Sequence, residues 1–143
     1  MARKVQVKTE CAPQKNSDVI WTSESLAAAL GINIPQNIEI SSVAIDTRTI
    51  QPNSLFVGIK GENHNGNFFA IDAIDKGAAL CIVDELPEGA QKYSNLIIKV
   101  DSSLEALNKL ATYSRNRLKG KVVGITGSVG KTSIREMIKI ALE

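Results

Sequence analysis

The sequence predicts an α/β fold: a small domain with a mixed sheet, followed by the first strand, loop and helix of a second domain. Short apolar segments rich in β-branched residues alternate with segments of helical periodicity from Trp21 to Leu118. A glycine-bracketed loop at 127–133 then separates one more strand-like segment, Val122–Thr126, from one more helical pattern. Because one strand and one helix cannot bury a core, residues 120–143 are predicted to be the start of a truncated domain.

The composition excludes several classes of protein. With 143 residues, of which 43% are hydrophobic, the chain has material for one modest core. A net charge of +2 and an aromatic content of 4% argue against nucleic-acid binding. No apolar run approaches the ~20 residues of a membrane helix, and the N-terminus carries no export signal. Cys11 and Cys81 have no metal-ligand spacing, and Cys81 is predicted to pack as a small hydrophobe. We expect a cytoplasmic monomer that binds neither nucleic acid nor membranes.

Residues 1–17 are polar and basic and are predicted to form a tail, and residues 18–119 form the first domain. Its first helix has Thr22 as N-cap, Leu26–Leu30 on its apolar face and Gly31 at its end. Strands are predicted at Ile38–Ile40, Val43–Ile45, Leu55–Ile59, Ala79–Val83 and Leu96–Val100. Further helices are predicted over Phe69–Lys76 and from the capping-box spelling Ser102–Glu105 onward, the latter with Leu104, Leu107, Ala111 and Leu118 on one face.

The loop at 127–133 has the residue types of a phosphate-binding loop. Gly127 and Gly130 allow positive φ and a close approach of backbone N–H groups to an anion, and the following helix adds its positive N-terminus. Lys131 would reach the terminal phosphates and the Thr132 hydroxyl suits Mg²⁺, so both are candidate catalytic residues. The predicted nucleotide contacts are Gly127, Ser128, Val129, Gly130, Lys131, Thr132 and Ser133, with Thr132 as the metal ligand.

The spacing of this loop departs from the strict phosphate-loop motif. The first glycine of G-x-x-x-x-G-K-[ST] would fall at Ile125, whereas the nearest glycine is Gly124. The strand-like segment before the loop, and Ile134 and Met137 at helical spacing after it, support the assignment. The alternative is an ordinary glycine turn between a strand and a helix, with Lys131 in solvent.

The segment Val43–Arg48, which reads VAIDTR, and the later segment Leu55–Gly61, which reads LFVGIKG, resemble the N-terminal domain of the Mur ligase family. These are the ATP-dependent enzymes that build the peptide stem of bacterial peptidoglycan. The segment Thr126–Thr132 is similar to their ATP loop, which also lacks the first glycine of the strict motif. Within the family, Ser128 and Arg135–Met137 are most similar to the D-alanyl-D-alanine-adding branch, MurF.

The resemblance implies an ATP-dependent amide-bond ligase. ATP with Mg²⁺ would phosphorylate the terminal carboxylate of UDP-N-acetylmuramoyl-tripeptide, and the amine of D-alanyl-D-alanine would attack the acyl phosphate with release of phosphate. In the family the N-terminal domain holds the UDP end of the substrate. Carried over by position, the expected contacts are Ile45, Thr47 and Arg48 together with Glu62, Asn63 and His64.

Some features depart from the family pattern. Relatives usually have Asp-Gly-His where this chain has Asn65-Gly66-Asn67, so any role of that acid or histidine is lost or moved. Val129 replaces the more usual Asn or Ser. The family's second metal-binding residues, modified lysine and C-terminal domain would lie downstream. We therefore expect this fragment to bind the UDP substrate, to bind ATP weakly or not at all, and to form no amide bond.

Other interpretations stay open at this point. One is a stand-alone UDP-substrate-binding module with an unused phosphate loop. Another is the sister ligase MurE, which adds the third stem residue and whose loop more often reads TGTNGKT. Asp46 and Arg48 could form a local ion pair or cap a turn, and a histidine in a polar loop, such as His64, is by itself typical of a solvated side chain.

Overall fold

The computed structural model describes residues 19–34 and 36–142, and the predicted tail and Cys11 lie outside them. Residues 19–117 belong to one compact unit and residues 118–142 to another. Strands and helices alternate along the larger unit, so the predicted α/β class is confirmed.

The larger unit contains two sheets. Strands β1 (Trp21–Thr22) and β2 (Glu39–Ile40) pair antiparallel. A parallel sheet with the order β3-β4-β5-β6 is formed by β3 (Ser42–Ala44), β4 (Ser54–Val57), β5 (Ala78–Val83) and β6 (Ile97–Lys99). Both strand directions of the predicted mixed sheet therefore occur, but in separate sheets. The parallel strands end on one side, here named the carboxyl edge, where open α/β sheets bind their ligands.

The first helix forms where its local signals predict it. Helix α1 (Ser23–Leu30) has Thr22 as N-cap, and Thr22 and Ser25 exchange the two side-chain hydrogen bonds of a capping box. The helix ends at Gly31, whose φ of 69° is left-handed. Helix α2 (Ala70–Asp75) follows a 3₁₀ turn at Gly66–Phe69, and helix α3 (Ser103–Arg117) follows β6.

The helices cover the two faces of the parallel sheet. Leu55 and Val57 of β4 pack into a cluster with α1 and α3, whereas Phe56 between them packs into a second cluster with α2. This alternation is the two-residue period of a strand buried on both faces. Cys81 lies in the second cluster, and burial raises the pKa of its thiol to about 12, which confirms that it packs as a small hydrophobe.

The face of α3 that the structure buries is not the apolar face predicted from the sequence. The structure buries Ser103, Ala106 and Leu110, whereas Leu104 and Leu118 are 54% and 58% exposed. Ala111 is also exposed, and Leu107 alone of the predicted face packs partly against the core. Two of the three buried positions, Ser103 and Ala106, carry small side chains, and Leu110 is the buried leucine of this helix.

The smaller unit differs from its prediction in one element. No described strand pairs with Val122–Thr126, and this segment forms no strand, because a strand needs a hydrogen-bonded neighbour. Helix α4 (Lys131–Leu142) forms as predicted. Its apolar residues Ile134 and Met137 are nevertheless 42% and 68% exposed.

Among the described residues, no helix has both the length and the apolar character needed to cross a membrane.

Candidate functional site

The loop after β3 is held by Asp46. Its carboxylate caps the 3₁₀ turn Thr47–Thr49 by accepting a hydrogen bond from the Arg48 N–H at 2.9 Å. The same carboxylate binds the Arg48 guanidinium, with Nη2 2.5 Å from Oδ2 and Nε 3.0 Å from both oxygens. The local ion pair and the turn cap considered from the sequence are thus both present. These hydrogen bonds lower the pKa of Asp46 to about 2 and raise that of Arg48.

The acid titration of Asp46 should report this contact. We expect its carboxyl to titrate near pH 2 in the folded chain, and Arg48→Ala to move the midpoint towards the ordinary value of 3.8. Because the folded-state pKa is the lower one, the contact favours folding above pH 3.8, and this contribution is lost as the pH falls through about 2. NMR titration of the side-chain carboxyl measures both midpoints. Lys76→Ala is the control: Lys76 contributes least to the shift, so a change as large as that of Arg48→Ala would contradict this assignment.

Thr47 links the same loop to the end of α2. Its hydroxyl lies 3.4 Å from Lys76 Nζ, and Lys76 in turn binds Asp72 at 2.8 Å. Hydrogen bonds from Lys76 and then from Thr47 lower the pKa of Asp72. Ile45 and the Arg48 side chain remain open to solvent, 57% and 85% exposed respectively.

The loop after β4 is a tight turn with a polar tip. Lys60 and Asn65 form an isolated antiparallel bridge, the Gly61 N–H donates to the His64 carbonyl at 2.8 Å, and the Gly66 N–H donates to the Ile59 carbonyl at 2.9 Å. The residues at the tip, Glu62, Asn63 and His64, are all exposed. The turn therefore displays the three predicted contact residues on a closed backbone.

Two glycines allow the loop to return close to β4. A Cβ on Gly66 would lie 2.6 Å from the Ile59 carbonyl oxygen, and one on Gly58 would lie 2.9 Å from the Asn67 Cα. Contacts this short with backbone atoms cannot be relieved by a side-chain movement. Both glycines are needed for the close approach rather than for a positive φ.

A buried amide network, which was not predicted from the sequence, lies beneath this loop. The Asn67 side chain is fully buried and hydrogen-bonds to Asn65 and Asp84. Asn65 also caps the 3₁₀ turn by accepting from the Asn67 N–H at 3.1 Å. The available signal was the departure from the family's Asp-Gly-His, which marks these two positions as chemically changed but does not reveal their partners.

The fold brings the predicted substrate residues to one edge of the sheet. Ile45, Thr47 and Arg48 follow β3, and Glu62, Asn63 and His64 follow β4. Because β3 and β4 are neighbours and parallel, both loops leave from the carboxyl edge. A cleft of 360 Å³ lies elsewhere, lined by the C-terminal end of α1, the end of β6 and the start of α3, and none of the six residues lines it.

The phosphate loop has the expected backbone at its glycines. Gly127 and Gly130 have φ values of 144° and 82°. Lys131 is exposed, and its ammonium group donates to the Gly127 carbonyl, so the lysine folds back over the loop. Thr132 and Ser133 are also exposed at the start of α4. The loop therefore carries exposed hydroxyl groups, an ammonium group and a helix N-terminus, a donor set that suits a polyphosphate.

Fewer groups are available to bind Mg²⁺ than to bind phosphates. The described residues contain no group of three or more His, Cys, Asp or Glu side chains that could hold a metal. The Thr132 hydroxyl is one oxygen of the kind Mg²⁺ accepts when phosphates and waters supply the others. Thr132 is thus one candidate ligand, and the part of the chain that the structure describes contains no complete metal site of such side chains.

A model of the Mur ligase family, described as its catalytic domain, matches residues 39–115. This range spans the whole parallel sheet, both loops and most of α3. The chain belongs to the Mur ligase family.

Individual relatives agree with the family assignment. A UDP-N-acetylmuramoyl-tripeptide--D-alanyl-D-alanine ligase of Rickettsia prowazekii (strain Madrid E) is 42% identical, matching 87% of this chain and 27% of its own length. A UDP-N-acetylmuramoyl-L-alanyl-D-glutamate--2,6-diaminopimelate ligase of Cytophaga hutchinsonii is 34% identical, matching 68% of this chain and 20% of its own length. The chain thus spans about a quarter of the length of these relatives.

Solved structures of Mur ligases share the fold. The structure of the D-alanyl-D-alanyl-adding ligase from Acinetobacter baumannii covers 87% of this chain and 28% of its own, with a TM-score of 0.70 and 27% identity. The crystal structure of MurF ligase from Thermotoga maritima in complex with ADP covers 68% of this chain and 22% of its own, with a TM-score of 0.57 and 31% identity. MurF-type ligases are therefore the relatives that this Mur ligase chain most resembles.

Proposed function

We propose that this chain is the substrate-binding portion of a MurF-type ligase, which joins D-alanyl-D-alanine to UDP-N-acetylmuramoyl-tripeptide. The observation that carries the proposal is the pair of loops at the carboxyl edge, which follow neighbouring parallel strands and contain the six proposed contact residues. The 42% identity with a relative of that name supports the choice of substrate. Both substrates and the reaction belong to a whole protein about four times as long as the matched segment.

In this proposal the two loops hold the UDP end of the substrate. The closed turn offers the exposed backbone and side chains of Glu62, Asn63 and His64, and the loop after β3 offers Ile45, Thr47 and Arg48. Arg48 is the cation among these positions, so it is the residue suited to a diphosphate, although it would have to share its guanidinium with Asp46. The exposed Ile45 side chain suits the apolar face of a base or sugar.

The phosphate loop is proposed to bind ATP. Residues Gly127 to Ser133 would surround the phosphates with backbone N–H groups, and Lys131 would leave the Gly127 carbonyl to neutralise charge on the transferred phosphoryl group. Thr132 would contribute one oxygen to Mg²⁺, which supplies charge neutralisation when bound. The structure of a MurF relative in complex with ADP supports nucleotide binding by a ligase of this type.

The proposal divides the chain at residues 18–119 and 120–143, an N-terminal substrate-binding domain and the opening of a central ATP-binding domain. The exposed apolar side chains of α4 support the second assignment, because a helix with such a face normally packs against a sheet. A cytoplasmic location is proposed, since ATP and a nucleotide-linked precursor are the substrates. A monomer is also proposed.

Two other functions are less favoured. A 2,6-diaminopimelate ligase, which is of the MurE type, is 37% identical to this chain, whereas the MurF relative from Rickettsia prowazekii is 42% identical. A stand-alone binding module would leave the phosphate loop without a function, although Gly127 and Gly130 adopt the backbone such a loop requires.

Calorimetric titration of the chain tests the proposal. We expect UDP-N-acetylmuramoyl-tripeptide to bind with measurable heat, ATP with Mg²⁺ to bind weakly or not at all, and no amide bond to form when all substrates are mixed. The weak ATP binding follows from the missing strand at Val122–Thr126, since no described neighbour holds the loop in shape. Absence of UDP-substrate binding would overturn the proposed function, and tight ATP binding would contradict the account of the loop.

A further inference from the structure

We propose that Asn67 and Asp84 are positioning residues for the UDP substrate, because their buried hydrogen bonds fix the loop that presents Glu62, Asn63 and His64. The inference rests on the proposed function of that loop. It assigns a role to two residues that do not themselves touch the substrate.

The Asn67 side chain is almost completely used in hydrogen bonding. Its Nδ2 donates to Asn65 Oδ1 at 2.7 Å and to Asp84 Oδ1 at 2.6 Å, and its Oδ1 accepts from the Asp84 backbone N–H at 3.0 Å. Both amide hydrogens and the carbonyl oxygen thus have partners, in a side chain with no solvent exposure. A buried amide paired on both sides is directional, so it selects one arrangement of the loop.

The network connects the loop to the rigid part of the domain. Asp84 follows β5 directly, and its second oxygen accepts from the N–H of Ser103 at 3.3 Å, where α3 begins. Asn65 adds a tie of its own, donating from Nδ2 to Glu85 Oε2 at 2.9 Å. The base of the loop is therefore held by a central strand and a helix start, whereas the exposed tip has the Gly61–His64 hydrogen bond within it.

Amide side chains form the centre of this network. Asn65 and Asn67 both carry amides, and neither amide ionises. The contacts that fix the Asn67 side chain are hydrogen bonds to polar groups. A role in shaping the loop accounts for a fully buried polar side chain at this place.

Asn67→Asp tests the inference with almost no change of volume. The new carboxylate can still accept from the Asp84 N–H, but it places oxygen against oxygen at the two contacts that Nδ2 now makes. We expect the affinity for UDP-N-acetylmuramoyl-tripeptide to fall at least about tenfold, the effect of one lost buried hydrogen bond. We also expect hydrogen exchange at the Gly61 and Gly66 amides to be faster than in the unaltered chain, while exchange at the amides of β5 is unchanged. A loss of overall stability would not produce such a local change.

Two further variants make the result decisive. In Asn67→Asp/Asp84→Asn, the exchanged amide can donate to the new carboxylate, and we expect part of the affinity and of the loop protection to return. Leu30→Ala is the control for general destabilisation, because it removes contacts from the apolar cluster that includes α1 and α3. This variant should leave the affinity unchanged while the chain is folded.

The outcomes separate the two proposals. Unchanged affinity in Asn67→Asp, an equal loss in Leu30→Ala, or no recovery in the double variant would overturn the positioning role while leaving the proposed function in place. Failure of the unaltered chain to bind would overturn the proposed function, and with it the assignment of a ligand to this loop.

Discussion

Gly66→Ala is expected to lower the affinity for UDP-N-acetylmuramoyl-tripeptide more than tenfold and to destabilise the larger unit by about 3 kcal/mol, the upper range for forced overpacking. The added Cβ would lie 2.6 Å from the Ile59 carbonyl oxygen and 2.8 Å from the Ile59 nitrogen. Both are backbone atoms just after β4, which ends at Val57, so the turn must open. Opening breaks the Gly66–Ile59 hydrogen bond and moves the tip residues.

Gly120→Ala is the matched control for this prediction. A Cβ at Gly120 has no neighbour within 4 Å, and its φ lies outside the left-handed region. The same substitution there should leave both affinity and stability near those of the unaltered chain. Calorimetry and denaturant unfolding measure the two effects. Normal affinity in Gly66→Ala would show that the close return of the loop is not needed for binding.

Phe56→Ala is expected to cost about 3–5 kcal/mol of unfolding free energy, the usual range for a buried phenylalanine. Phe56 is 1% exposed at the centre of β4 and is the largest of the fully buried side chains. Its removal leaves a cavity between the sheet and α2. Since small domains have about 5–15 kcal/mol in total, the variant should be close to unfolding.

Phe68→Ala is the control, because it deletes the same side chain at a position that is 55% exposed. We expect a cost of less than about 1 kcal/mol there, in line with a surface substitution. Urea unfolding followed by circular dichroism compares the two variants. Equal losses of stability would contradict the placement of Phe56 between the sheet and α2.

Local signals made much of the fold predictable. Helix α1 is bounded by Thr22 and Gly31, whose side chain and backbone preferences act within a few residues. Strands β4 and β5 were visible as apolar runs, because both of their faces are buried. The loops that carry the six proposed contact positions followed from the strand ends and from the family motif.

The missed features depend on partners distant in sequence. Strand β1 has two residues and exists because Trp21 pairs with Ile40. The buried face of α3 is formed by Ser103, Ala106 and Leu110, which the spacing of its leucines does not reveal. The Asn67 network requires Asp84, which lies beyond α2 and β5, and a buried amide cannot be told from a solvated one until its partners are placed.

The two loops at the carboxyl edge are proposed to hold the UDP end of the substrate. The most direct test follows the titration with UDP-N-acetylmuramoyl-tripeptide residue by residue, by NMR of backbone amides. We expect the shifted amides to lie at 45–48 and 61–66, with those lining the cleft between α1 and α3 unchanged. Shifts concentrated in that cleft, or at 127–133, with both loops unaffected, would contradict the account.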